Sequence, residues 1–394
     1  MKQLIFFIVL LFAVLLNTKI APSLGFEKVS TAAFLPLILY LGYKWLTQKI
    51  HFDKEAIFVI VLALIMFILK WAVGQDYLKE ALMLMIFPMI ASICFENLSK
   101  NECKLLFRVI VVFYIANCGL SIVEWALNYN FFADPEWAER NQSNDFFRST
   151  AFIGHPLSNA QVVAVFMTFI AAYNFKSKSF QILLFFLGYA SFFCFNVRGA
   201  TLVVSVLVVP YFIWKINRTT RKDRKWIIKF SVICLLAGLI YTVTQTSFGG
   251  RLMNMEIMDS SSQSRLNVFQ FYNHYQSNDE LLWGNSYLYE YMMEKLGAGG
   301  VENGVITMLL DYGIIITIPM LFLLFLFQFR KLSVYPNFEK WLLLAVFFII
   351  GTMNPNLARP IQWIMWIFAY YAFRPKTLHP QIRQLRIINQ KSKI

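Results

Sequence analysis

Apolar runs recur along the whole chain, and each is closed by a polar break. A bilayer crossing takes roughly 17–25 residues, and on that length the pattern predicts twelve helical spans. They lie near residues 3–22, 29–46, 56–73, 80–96, 106–127, 151–173, 179–196, 199–214, 226–246, 303–327, 340–354 and 361–373. The first run has a second reading as a signal peptide, because Lys2 precedes the stretch Leu4–Leu16. No small-residue cleavage site follows it, however, and another apolar span begins at once. The expectation is an all-α integral membrane protein, one polytopic domain over residues 1–394.

Composition strengthens this picture. Of the 394 residues 58% are hydrophobic and 15% charged, with a mean hydropathy of +0.56, values unlike those of a soluble domain. Charge then orients the helices. Most of the 36 Lys and Arg residues fall on one side if the N-terminus is cytoplasmic: Lys2, Lys44, Lys49, Lys54, Lys100, Lys104, Arg108, Lys176 and Lys178. The run "KINRTTRKDRKWIIK", Arg330, Lys331, Lys340 and a basic tail over residues 374–394 complete that side. Both termini are therefore expected inside, and the formal charge of +14 follows from membrane orientation rather than from nucleic-acid binding.

Five cysteines, at 94, 103, 118, 194 and 234, lie in or near apolar spans without a CxxC pair, which suits packing better than disulfides. The four histidines show no metal-ligand spacing, and no paired aspartates offer a divalent-ion site, so neither metal nor other cofactor is expected.

Two connections break the pattern of short loops, and both fall on the outer side: residues 128–148 and residues 247–302, the latter between the ninth and tenth spans. Long loops in compact helical proteins tend to carry function. The second is rich in aromatics, including Phe269, Phe271, Tyr272, Tyr275, Trp283 and Tyr287, which suits an amphipathic ligand or equally a small unit resting on the membrane surface. In "SSSQSRLNVFQFYNHY", Arg265, Phe269 and Tyr272 share one face at helical spacing. That face suits a phosphate or a sugar, and it also suits a surface arginine at the membrane boundary. Arg148, Arg198 and Arg251 stand at outer span ends, against the usual charge bias. They either anchor to lipid headgroups or converge on a pyrophosphate, which guanidinium groups bind bidentately.

Four segments carry a resemblance: "RSTAFIGHPLSNA", "FNVRGA", "SQSRLNVFQFY" followed by "LLWGNSY", and "ENGVITMLLDYGIIITIP". In this order, within a twelve-span frame, the chain resembles the bacterial O-antigen polymerases of the Wzy type and their O-antigen ligase relatives. The resemblance implies a GT-C-like membrane fold in the bacterial plasma membrane, with its active site facing the periplasm or cell exterior. It implies a metal-independent glycosyltransferase that joins undecaprenyl-pyrophosphate-linked oligosaccharide repeats into O-antigen, capsular or exopolysaccharide. Donor and acceptor would both be lipid-linked, with membrane lipids and a chain-length regulator as further partners and no nucleic acid.

On that reading Glu302 is the catalytic base, and Arg148, Arg198, Arg251 and Arg265 grip the pyrophosphate. Asn303, His155, Tyr272 and His274 are candidate substrate-binding residues. Ligases typically carry His at the position of Glu302, and this departure favours a polymerase. Glu302 is equally explained as a carboxylate at a helix start, worth roughly 0.3–1 kcal/mol. Asp311, inside the same span, is expected to tie its helix to a neighbour, and Glu124 near the outer end of the fifth span has no evident purpose. The alternatives are a ligase acting on lipid A core or protein, a transporter of lipid-linked sugars, and a non-catalytic scaffold.

Overall fold

The computed structural model describes residues 2–16, 18–20, 35–47, 50, 53–72, 78–133, 138–139, 147–219, 277–285 and 303–375. Among these residues the chain is helical and contains no strand. The elements are α1 (Lys2–Leu16), α2 (Leu35–Thr47), α3 (Lys54–Ala72), α4 (Leu78–Glu96), α5 (Lys100–Leu127) and α6 (Pro156–Ala172). They continue with α7 (Lys178–Phe195), α8 (Arg198–Thr219), α9 (Asn278–Trp283), α10 (Gly304–Lys331), α11 (Asn337–Thr352) and α12 (Pro360–Phe373). Five of them, α3, α5, α7, α8 and α10 (with the turn that extends it to Val334), are long and apolar enough to cross a membrane. This is the architecture of a helical membrane protein.

Local chemistry sets the helix ends. Ser99 and Glu102 form a reciprocal capping box at the start of α5, and Ser177 caps α7 through the Phe180 amide. Asn128 and Asn196 end α5 and α7 in the left-handed conformation that asparagine tolerates. Pro156 and Pro360 open α6 and α12, where the missing amide proton costs nothing.

Every residue of α6 is buried, as is every residue of α12 from Gln362 to Phe373, so these two helices form the centre. Around them α1, α2 and α3 are peripheral. Phe58, Val61, Ile65, Ile68 and Trp71 of α3 and Leu35, Leu39 and Trp45 of α2 turn apolar side chains outward. Helices in lipid need such a face, whereas a soluble protein of this kind would aggregate.

One end of the bundle is laced with ion pairs. Lys44 bonds Glu102 at 3.1 Å, and Lys215 meets Glu339 at 2.7 Å. Lys331 pairs with Asp53 and, at 3.3 Å, with Glu96, which also accepts from Arg374 at 3.1 Å and from the Tyr371 hydroxyl at 2.7 Å. These cations belong to the side that charge bias assigns to the cytoplasm.

Three predicted spans differ in detail. The sixth begins later than expected, since Ala151–Ile153 is a 3-10 turn and the helix proper starts at Pro156. The eighth continues to Thr219 and contains a π turn over Val204–Val208. The tenth is broken at Gly313, whose backbone leaves the helical region. The predicted ninth span, most of residues 128–148 and 247–302, and most of the basic tail lie outside the described residues. Cys94, Cys103, Cys118 and Cys194 are free thiols, and Cys234 is outside the described set.

Candidate functional site

At the end of the bundle opposite the ion pairs, residues 147–159 wind over the mouths of α5, α6 and α7. Glu124 organises this segment from the last turn of α5, fully buried. Its carboxylate accepts from the Ser149 hydroxyl (2.6 Å), from the amides of Thr150 (2.8 Å), Ala151 (2.9 Å) and Phe131 (3.0 Å), and from the Asn130 side chain (3.4 Å). The donors are all uncharged, so this carboxylate shapes the loop. Asn130 adds bonds to the Arg148 carbonyl and the Thr150 hydroxyl, both 3.1 Å. Asn117 accepts from the Phe152 amide at 3.2 Å, and Asn159 donates to the carbonyls of Thr150 and His155. Ala151, at φ 39°, sits in a left-handed turn that this network holds against its intrinsic cost.

The scaffold sets four predicted residues at this end. Arg148 Nε donates to the Phe195 carbonyl at 3.4 Å, beside a main-chain bond from Ser149 to Cys194 of 2.9 Å. Three residues on, Arg198 begins α8, and its neighbour Gly199 lies against the Met353 sulfur, where an added Cβ would sit 3.2 Å away. Asn303 caps α10, its Oδ1 accepting from the amides of Val305 and Ile306 at 3.1 Å each, which commits that oxygen to helix structure. Gly304 packs so closely that a Cβ would fall 2.6 Å from the Gly351 carbonyl and 2.7 Å from that of Asn354. His155 precedes α6. The remaining candidates, Glu302, Arg251, Arg265, Tyr272 and His274, lie outside the described residues.

Two further cations join them that the sequence reading passed over. Arg359 caps α12 and donates to the Ser158 hydroxyl at 3.3 Å, while Ser158 and Asn356 are bonded at 2.9 Å and Asn356 reaches the Leu157 carbonyl at 3.0 Å. Lys19, beyond α1, donates its amide to the Phe152 carbonyl at 2.8 Å, and its side chain lies over Gly154. Arg359 carried the signal that singled out the other arginines, a basic residue beside a predicted span on the side opposite the charge bias, whereas Lys19 fell within the first predicted span.

These cations converge on His155. Burial, then the charges of Arg359, Arg148 and Lys19, push its pKa down to about 3, so the imidazole is neutral at physiological pH. Three cations supplied by separate parts of the chain around a neutral imidazole make this end of the bundle electropositive. Among the described residues no group of three or more His, Cys, Asp or Glu side chains is placed to hold a metal ion.

The chain matches no family model, no curated protein and no solved structure.

Proposed function

We propose that the protein is a membrane glycosyltransferase that polymerises undecaprenyl-pyrophosphate-linked oligosaccharide repeats at the outer face of the bacterial plasma membrane. The observation that carries this reading is the convergence of Arg148, Arg359 and Lys19 on neutral His155, with Arg198 at the same end of the bundle. A lipid-linked pyrophosphate would meet these cations with its tail beside the apolar helix faces and its glycan in the outer loops. In the reaction an acceptor hydroxyl attacks the anomeric carbon of the donor, and the bond from that carbon to pyrophosphate oxygen breaks. The hydroxyl proton passes to Glu302, one residue before the cap of α10. Undecaprenyl pyrophosphate leaves with its added charge held by the arginines. A ligase acting on lipid A core or protein would use the same donor chemistry and differ only in acceptor.

The test incubates purified protein with a synthetic lipid-linked repeat alone. A ladder of longer glycans is expected, abolished by Arg148→Ala and by Glu302→Gln. An unchanged substrate excludes the polymerase, and full-length polymer from Glu302→Gln removes that residue as base.

The break in α10 favours a second reading, transport of lipid-linked sugars, since discontinuous helices line transporter sites. Proteoliposomes that move the lipid-linked repeat across the bilayer without lengthening it would select that reading.

A further inference from the structure

Gly313 stands ten residues past the cap of α10, about 15 Å along the helix and so near the middle of a hydrocarbon core of about 30 Å. Its φ of +66° and ψ of 175° interrupt the helix, and Thr317 Oγ1 reaches back to the Met308 carbonyl at 2.8 Å. Residues nine apart in a continuous helix would be about 13 Å apart along the axis, so the halves fold back on one another here.

A broken helix at this depth must satisfy its carbonyls from elsewhere. Asn285 of the large outer loop donates its amide to the Leu310 carbonyl at 2.7 Å, the oxygen that Ile314 would bond in an intact helix. Lys70 of α3 donates its ammonium to the Asp311 carbonyl and lies 5.0 Å from the centre of the Tyr312 ring. The loop segment that ends in Asn285 is built to hold this pose. Ser277 and Glu280 form a capping box at the start of α9, and Asn285 Nδ2 bonds Glu280 Oε1 at 3.0 Å. Gly284, at φ +77°, and Gly313 meet backbone to backbone. A Cβ on Gly284 would lie 2.5 Å from the Gly313 nitrogen, and one on Gly313 would strike the Leu282 carbonyl.

We infer that residues 277–285 form a strap seated in the α10 break, and that its withdrawal closes α10 into a continuous helix. Leu310 then accepts from Ile314 in place of Asn285, and glycine at 313 meets no steric barrier in either backbone state. Closure straightens the outer half of α10, and with it the cap at Asn303. The state of the outer loop is thereby communicated to the polar end of the bundle. The device is independent of which reaction that end performs.

The test places spin labels at Val305→Cys and Phe322→Cys of the full chain in lipid nanodiscs, with exposed Cys103 replaced by Ser. Wild-type backbone gives a short separation. Gly313→Ala, which blocks both the left-handed turn and the seat, shifts it toward the value of about 26 Å for 17 helical residues. Asn285→Pro, which deletes the strap's amide donor and the side-chain bond to Glu280, shifts it likewise and decides the matter alone if Gly313→Ala does not fold. Gly119→Ala, in α5 where nothing lies within 4 Å of the added carbon, leaves the distance unchanged. An unchanged separation in Asn285→Pro overturns the inference.

Discussion

The two ends of the helical bundle set basic residues in different surroundings. At one end Lys44, Lys215, Lys331 and Arg374 meet the carboxylates of Glu102, Glu339, Asp53 and Glu96. At the other, Arg148 bonds a carbonyl, Arg359 a hydroxyl, and the buried carboxylate of Glu124 is filled by main-chain amides, a hydroxyl and a side-chain amide. The ion pairs of the first end hold helices together, while at the second Arg148, Arg359 and Lys19 gather around the neutral imidazole of His155. Both draw on the same residue types, but the first joins helix to helix through carboxylates and the second brings cations from separate parts of the chain to one imidazole.

Lys331→Ala should break this contrast most severely on the structural side. It strips buried Asp53 of its counter-charge, at a cost of about 3–5 kcal/mol, read as a fall in melting temperature with turnover per folded molecule retained. At the other end Glu124→Ala should cost at least as much in sum. It leaves several buried amides and a hydroxyl without their acceptor, at about 1–3 kcal/mol for each group left unsatisfied. The expected result is rapid proteolysis within residues 128–159, and rescue by Glu124→Gln should be only partial.

Much of this was legible in the sequence. Eleven of the twelve predicted spans have a helix at their position, because apolar length and polar breaks are local properties that tertiary packing does not override. Arg148, Arg198, His155 and Asn303 were legible as candidates for the same reason, each standing at a span end. Arg359 was passed over although "LARP" offers the same signal, since its role depends on Ser158, some two hundred residues away. The purpose of Glu124 was hidden similarly, in a loop whose amides converge only after folding. Asp311 was expected to tie its helix to a neighbour, and the tie to Lys70 of α3 runs in part through its main-chain carbonyl. The break at Gly313 had no local signature beyond a glycine, because it is the loop segment around Gly284 that requires it.

Two smaller effects are expected, one at each end. His155 titrates below its ordinary value of 6.5, so the stability tied to its neutral form is fully present above that pH and is lost as pH falls toward about 3. Its imidazole resonances should stay unprotonated from pH 8 to 5, and pyrophosphate, by offsetting the three cations, should raise the midpoint. Smallest of all is Arg330→Ala. The Arg330–Glu55 pair is long at 3.7 Å and Arg330 is 56% exposed, so its loss should move the melting temperature within error.

The most direct measurement is the affinity of the purified protein for undecaprenyl pyrophosphate, compared among wild type, Arg148→Ala, Arg359→Ala and Arg330→Ala at equal folded fraction. Each of the first two substitutions should weaken binding by about 10- to 100-fold, the ~1.5–3 kcal/mol of a hydrogen bond to a charged group, while Arg330→Ala binds as wild type does. Equal affinity in all four proteins would contradict the assignment of the polar end as the anion site.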